Sequence, residues 1–199
     1  MRKLQKAPAL QVAQWFNSKE DITLESLRGR VVLIEVFQML CPGCVELGLP
    51  QAKRAAQLFS PDDLVVLGLH SVFEHHAAMS PVSLKAFLHE YRISFPVAVD
   101  QPALKGTIPQ TMELYQLQGT PSLILIDRQG YLRRVKFGSI DDMQLGAEIM
   151  SLIREDCAVE EDGTARTDAA SISPQDRGDR ESRENKDEQS GCGDSSCAI

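Results

Sequence analysis

The stretch Val31-Val32-Leu33-Ile34-Glu35-Val36-Phe37 restricts the fold of this chain more than any other. It is rich in β-branched residues and apolar at odd and even positions alike. Successive side chains of a strand point to opposite faces, so such a run belongs in the middle of a sheet covered on both sides. Leu64-Val65-Val66-Leu67-Gly68-Leu69 reads the same way. Ser122–Ile126 is a third strand, followed by the turn Asp127-Arg128-Gln129-Gly130 and a strand at Tyr131–Phe137, a hairpin signal. Helical patterns lie between the strands: one from Pro42 to about Phe59, and one over Val82–Tyr91 with Ser80 as cap and Pro81 at its first position. A third covers Gln110–Leu117. The last runs from Asp141 to about Arg154, capped at Ser139 or Asp141, with Leu145, Ile149 and Leu152/Ile153 on one face. Strand, helix, strand, helix, hairpin and closing helix, joined by right-handed crossovers, predict an α/β fold: a mixed central β-sheet with helices on both faces.

Charge divides the chain. The net −7 of the 199 residues splits into +1 over residues 1–154 and −8 over residues 155–199. The last 45 residues hold few large apolar side chains (Val159, Ile172 and Ile199), and a segment that buries so little cannot offset its ordering entropy. Residues 1–154 are therefore expected to be the folded domain and residues 155–199 an acidic disordered tail. No apolar run is long enough to cross a bilayer, and the stretch after Arg2, Lys3 and Lys6 is too short for the core of a signal peptide. The expectation is a cytoplasmic protein with no membrane partner. A near-neutral folded part without a basic stripe also argues against nucleic acid.

Five cysteines without a secretion signal do not read as a disulfide framework. Cys41-Pro42-Gly43-Cys44 follows the buried strand and opens a helix, so Cys41 lies at or beside the helix N-terminus, where free N–H groups and the macrodipole favour a thiolate. The spacing puts the second sulfur within disulfide reach, one side chain exposed and the other covered, as thiol–disulfide exchange requires. The pair also matches half of a zinc knuckle, but His70, His75, His76 and His89 are not spaced as its other half. Redox chemistry is the favoured reading, with no metal and no cofactor beyond the cysteine pair.

The strand running into Cys-Pro-Gly-Cys, with Gly119-Thr120-Pro121 leading into a later strand, resembles the thioredoxin superfamily. The upstream Trp15-Phe16-Asn17 and Leu24-Glu25-Ser26-Leu27-Arg28-Gly29-Arg30 resemble its redoxin branch, typified by TlpA and ResA and related to AhpC/TSA proteins. The likeness spans roughly residues 8–154. It implies that Cys41 attacks a disulfide, that Cys44 resolves the mixed disulfide, and that Glu35 is a buried acid receiving the resolving thiol's proton. Read on its own, Glu35 sits in an apolar strand where desolvation raises its pKa; the alternative is a partly solvated carboxylate in a salt bridge. The likeness also implies that Pro121 is a cis-proline facing the cysteines and that Thr120 hydrogen-bonds a substrate strand. Pro42, Gly43 and Met39 complete the expected substrate surface, and the implied partners are a protein or low-molecular-weight disulfide and a thiol reductant system.

Three places depart from the family pattern. Gln38-Met39-Leu40 replaces the usual tryptophan-bearing approach, predicting a more apolar, adaptable rim. Pro50 falls six residues after Cys44, where five is usual, so either the helix holds an extra residue as a bulge or Pro50 is unrelated to the usual kink. TlpA-type proteins are also usually exported, which argues against a role in cytochrome maturation here.

A thiol peroxidase is the first alternative. Peroxiredoxins need Pro-x-x-x-Thr/Ser-x-x-Cys, and the corresponding places before Cys41 hold Ile34 and Gln38, so the activating hydroxyl is missing. A non-enzymatic metal-binding protein is the second, through the C-terminal Cys192 and Cys197. These two cysteines also suit a redox relay to Cys41–Cys44. A flexible linker of about 36 residues reaches roughly 33 Å, which sets an effective concentration on the order of millimolar. Incidental cysteines are the remaining possibility, and Cys157 is read that way. His70, His75 and His76 are expected in a solvated loop, or else lining the substrate groove, tuning the Cys41 thiolate or binding a metal. Met79 and Met112 are assigned to helix packing.

Overall fold

The computed structural model describes residues 4–155. Of the expected tail only Glu155 is described, closing the last helix and paired with Arg133; the rest, with Cys157, Cys192 and Cys197, lies outside the described residues.

Seven strands form one mixed sheet: β1 (Gln5–Lys6), β2 (Val12–Phe16), β3 (Val31–Phe37), β4 (Leu64–His70), β5 (Val97–Asp100), β6 (Ser122–Ile126) and β7 (Tyr131–Phe137), in the order β1-β7-β6-β3-β4-β5-β2. All seven residues of β3 are buried, as a strand apolar on both faces must be at the sheet's centre. It pairs in parallel with β4, Val31 opposite Leu64 and Phe37 opposite His70, and antiparallel with β6. β6 and β7 form the expected hairpin, while β2 adds antiparallel to the outer side of β5.

The helices are α1 (Leu49–Leu58), α2 (Pro81–Glu90), α3 (Gln110–Leu114) and α4 (Asp142–Arg154). Strand alternation sorts the core into two layers. Val31, Leu33 and Phe37 pack with Leu49 and Ala52 of α1, Leu84 and Leu88 of α2, and Leu145 and Ile149 of α4. Val32, Ile34 and Val36 pack with Leu24, Leu27 and Tyr115 on the other face.

Two helices differ from the sequence expectation, each for a local reason. The helix starts at Pro42 as expected but passes at once into a π-helical turn over Cys44–Gly48, in which the Leu49 N–H reaches five residues back to the Cys44 carbonyl. The extra residue before Pro50 is therefore held as a bulge, the first of the two alternatives. α3 stops at Leu114 rather than Leu117 because Gln116 turns left-handed (φ 53°). The Gln116 and Leu117 amides then bond back to the Glu113 and Met112 carbonyls in a Schellman motif built without glycine.

Candidate active site

β3 delivers the chain to Cys41 at the carboxyl end of the sheet. The Cys41 amide donates to the Gln38 carbonyl at 3.2 Å, and the Cys41 carbonyl receives the Cys44 and Val45 amides at 3.1 Å. This tight turn brings the Cys44 N–H to 3.2 Å from Cys41 Sγ, and the same sulfur lies 3.5 Å from the Thr120 carbonyl oxygen. Both thiols are free; Cys41 is half-buried and Cys44 fully buried. Burial pushes the Cys44 thiol pKa well up, and its hydrogen bond with Cys41 pushes it further. The two sulfurs thus differ as spacing and helix position led one to expect, one accessible and one covered.

Glu35 is buried on β3, on the face of Leu33 and Phe37, with its Oε1 lacking a hydrogen-bond partner among the described residues. Burial first, then the Cys41 charge, raises its carboxyl well above the usual carboxylate range. The carboxyl lies against the inner side of the π-helical turn: a Cβ built on Gly48 would stand 2.9 Å from Glu35 Cδ and closer still to Oε1. The same point is 3.2 Å from Pro121 Cβ, and a Cβ on Gly43 would be 3.2 Å from Pro121 Cδ. The Pro121 ring therefore packs against the cysteine turn at two places, and the Thr120-Pro121 peptide is cis.

The structure gathers Cys41, Gly43, Cys44, Glu35, Thr120 and Pro121 into one site, with Pro42 exposed beside Cys41. Met39 is placed differently from its expected position on the substrate surface. It is buried in the core, and Leu40, 57% exposed, is the apolar residue that reaches the surface beside Cys41. Phe137 is half exposed, its ring edge 3.0 Å from where a Cβ on Gly119 would stand, next to the Thr120 loop. Cys192 and Cys197 are outside the described residues.

His70 does not lie in a solvated loop. It is the last residue of β4, buried with its ring 5.3 Å from that of Phe37, and burial lowers its pKa to about 4. His75 and His76 are exposed; His76 and His70 share the lining of a cavity of about 400 Å³ with Met79 and Val99. Met79 and Met112 are buried in the packing, as expected. Among the described residues no three His, Cys, Asp or Glu side chains group as metal ligands. Sequence reasoning missed Gly48, whose one signal is a glycine in the middle of a helical run.

Residues 4–135 match the AhpC/TSA family. A crystal structure of a thioredoxin-like superfamily protein is 60% identical, covers 76% of this chain and 97% of its own, and superposes with a TM-score of 0.75. A thiol-disulfide isomerase from Corynebacterium glutamicum is 52% identical, with 75% and 97% coverage and a TM-score of 0.72. Protein DipZ from Mycobacterium bovis is 30% identical over 138 residues, which are 68% of this chain and 19% of that protein. The chain thus spans about a fifth of the length of this curated relative. The mixed sheet, the helix-opening cysteine pair under a cis-proline loop and these matches agree: the chain is a thioredoxin-fold member of the AhpC/TSA family.

Proposed function

We propose that this chain is a thiol–disulfide oxidoreductase that works through Cys41 and Cys44. The observation that carries the reading is the arrangement of three groups: a partly exposed Cys41, a buried Cys44 thiol one turn inside, and the buried carboxyl of Glu35, whose Oε1 has no hydrogen-bond partner among the described residues. The Cys41 thiolate attacks one sulfur of a substrate disulfide, forming a mixed disulfide and releasing the other sulfur as a thiolate. Cys44 then gives its proton to Glu35 in its ionised, carboxylate form and attacks Cys41 Sγ. The Cys41–Cys44 bond forms, the bond to the substrate breaks, and the substrate leaves as its second thiol. The substrate is reduced by two electrons and the cysteine pair oxidised by two. The steps run backwards when the oxidised pair meets a dithiol.

Thr120 and Pro121, with Pro42 and Gly43, form the surface that receives the substrate, a protein or low-molecular-weight disulfide. A thiol reductant system restores the pair in the cytoplasm, and no cofactor besides the cysteines takes part. Buried Cys44 is the resolving thiol because a sulfur that keeps its proton is a poor first nucleophile.

Trapping tests the assignment. Cys44→Ser should accumulate a covalent mixed disulfide with a disulfide substrate, and Cys41→Ser should form none. Equal trapping by both variants, or by neither, overturns the roles. Titration of Cys41–Cys44 against glutathione then fixes the direction: a potential near −270 mV makes the chain a reductant and one near −120 mV an oxidant. Membership of the AhpC/TSA family favours a peroxidase as the second reading. Against it, Ile34 and Gln38 are buried where an activating proline and hydroxyl would stand. Peroxide consumption that depends on Cys41 at a rate matching disulfide exchange would establish it.

A further inference from the structure

We propose that Gly48 is a positioning residue for this reaction: the missing side chain in the π-helical turn is the seat of the Glu35 carboxyl, and it holds that group where it takes the Cys44 proton. The inference rests on the reading of Glu35 given above and adds a residue that neither the motif nor the family likeness supplied.

Backbone conformation gives no reason for a glycine here. Gly48 has φ −63° and ψ −56°, ordinary right-handed helical values open to every residue, and helix preference favours alanine at such a position. Exposure gives none either, because Cys44 and Gly48 are the two buried residues of the turn. Both therefore face inward, toward β3. What distinguishes the position is clearance. A single methyl on Gly48 would overlap Glu35 Oε1, stand 2.9 Å from Cδ and press on Pro121 Cβ at 3.2 Å. Oε1 and Cδ are the carboxyl end of Glu35, which is buried and so has little room to swing aside, and Pro121 Cβ belongs to a rigid ring. The carboxyl and the cis-proline thus meet at one point, on the inner side of the turn that the resolving Cys44 opens, and that point stays open only because residue 48 has no side chain.

The bulge is what brings glycine to that point. With the Leu49 N–H bonded to the Cys44 carbonyl, the turn holds one residue more than an α-helical turn. Pro50, which has no N–H to give, follows directly after Leu49. During resolution Cys44 loses its proton to the Glu35 carboxylate as its sulfur attacks Cys41. Displacing that carboxylate leaves the Cys44 proton without an acceptor while Cys41 keeps its access to substrate.

The test uses the full chain with Cys157, Cys192 and Cys197 changed to serine, mixed with dithiobis(nitrobenzoate). The first thionitrobenzoate is released when Cys41 attacks the reagent and the second when Cys44 resolves the mixed disulfide, so the two phases report the two steps. In the parent the second phase should rise with pH through an inflection that Glu35→Gln removes or moves. Gly48→Ala should slow that phase at neutral pH by about a hundredfold, the usual effect of an ångström-scale misplacement, and shift its inflection toward that of Glu35→Gln. The first phase should stay as in the parent. Pairing Gly48→Ala with Glu35→Asp, which withdraws the carboxyl by one methylene, should restore rate and inflection together.

A Gly48→Ala variant that keeps the parental inflection overturns the inference, because glycine is then only a packing choice. If Glu35→Gln keeps the parental profile, the reading of Glu35 fails first and the inference with it. If Gly48→Ala alone does not fold, the comparison passes to Glu35→Asp with and without Gly48→Ala. A second phase faster in the double variant supports the inference, and one no faster overturns it.

Discussion

Glu35 and His70 lie on neighbouring strands, each buried with a polar atom that has no partner among the described residues, and burial moves their pKa values in opposite directions. A buried acid and a buried base both favour their neutral forms. His70 has a folded-state pKa of about 4 against an ordinary 6.5, so the unfolded chain binds its proton more readily. Its contribution to stability is complete above pH 6.5 and is lost as pH falls toward 4; linkage puts the loss at about 3 kcal/mol. Glu35 works the other way. Its folded pKa is raised, so the folded chain keeps its proton, and that advantage is present at low pH and disappears as pH rises from 4.5 through the folded value. Urea unfolding at neutral and mildly acid pH checks the first effect: His70→Leu should flatten the acid limb, and an unchanged limb would contradict the assignment. The residues also show where sequence suffices. The placing of Cys41 and Cys44 at the helix start, one partly exposed and one covered, follows from spacing, and the burial of Glu35 follows from the apolar run around it. His70 was misplaced because β4 continues one residue past Leu69, its last apolar member.

At the scale of elements, β3, β6 and β7 have the bounds that their patterns predicted. β1, β2 and β5 went unread for physical reasons. β5 is four residues directly after Pro96, β1 is two residues, and β2 is an edge strand with a register shift between Val12 and Gln14 and no clean alternation. These strands exist because the sheet's open edges bind them, and a local pattern does not record that. Helix ends show the same limit. α2 and α3 close on left-handed Arg92 (φ 51°) and Gln116 (φ 53°), so the glycine that usually marks such an end is absent. Both residues are exposed. Relief of left-handed strain predicts that Arg92→Gly and Gln116→Gly each raise stability by about 1 kcal/mol, partly offset by the freer unfolded chain. Chemical denaturation measures it; destabilisation by either variant would mean that the side chain contributes packing. The core side of α4 gives a larger signal. Ile149 is fully buried against β3, and Ile149→Ala should cost about 2–5 kcal/mol with a matching fall in Tm.

At the scale of the whole molecule, residues 1–154 are close to neutral, while residues 155–199 carry −8 and three of the five cysteines. The proposed relay makes a prediction that depends on this arrangement. If Cys192 and Cys197 exchange with Cys41–Cys44 within one chain, an effective concentration on the order of millimolar lets them compete with free thiols of similar concentration. An oxidising titration of the full chain should then give a disulfide linking Cys41 or Cys44 to Cys192 or Cys197, in a yield independent of protein concentration. The link should appear in a digest kept free of reductant. Cys192→Ser/Cys197→Ser should abolish it and reduce the titration to a single two-electron step for Cys41–Cys44. A yield that rises with protein concentration would mean exchange between chains. If no link forms and the titration of the variant superposes on that of the full chain, the relay is wrong, and Cys41 and Cys44 alone account for the redox chemistry.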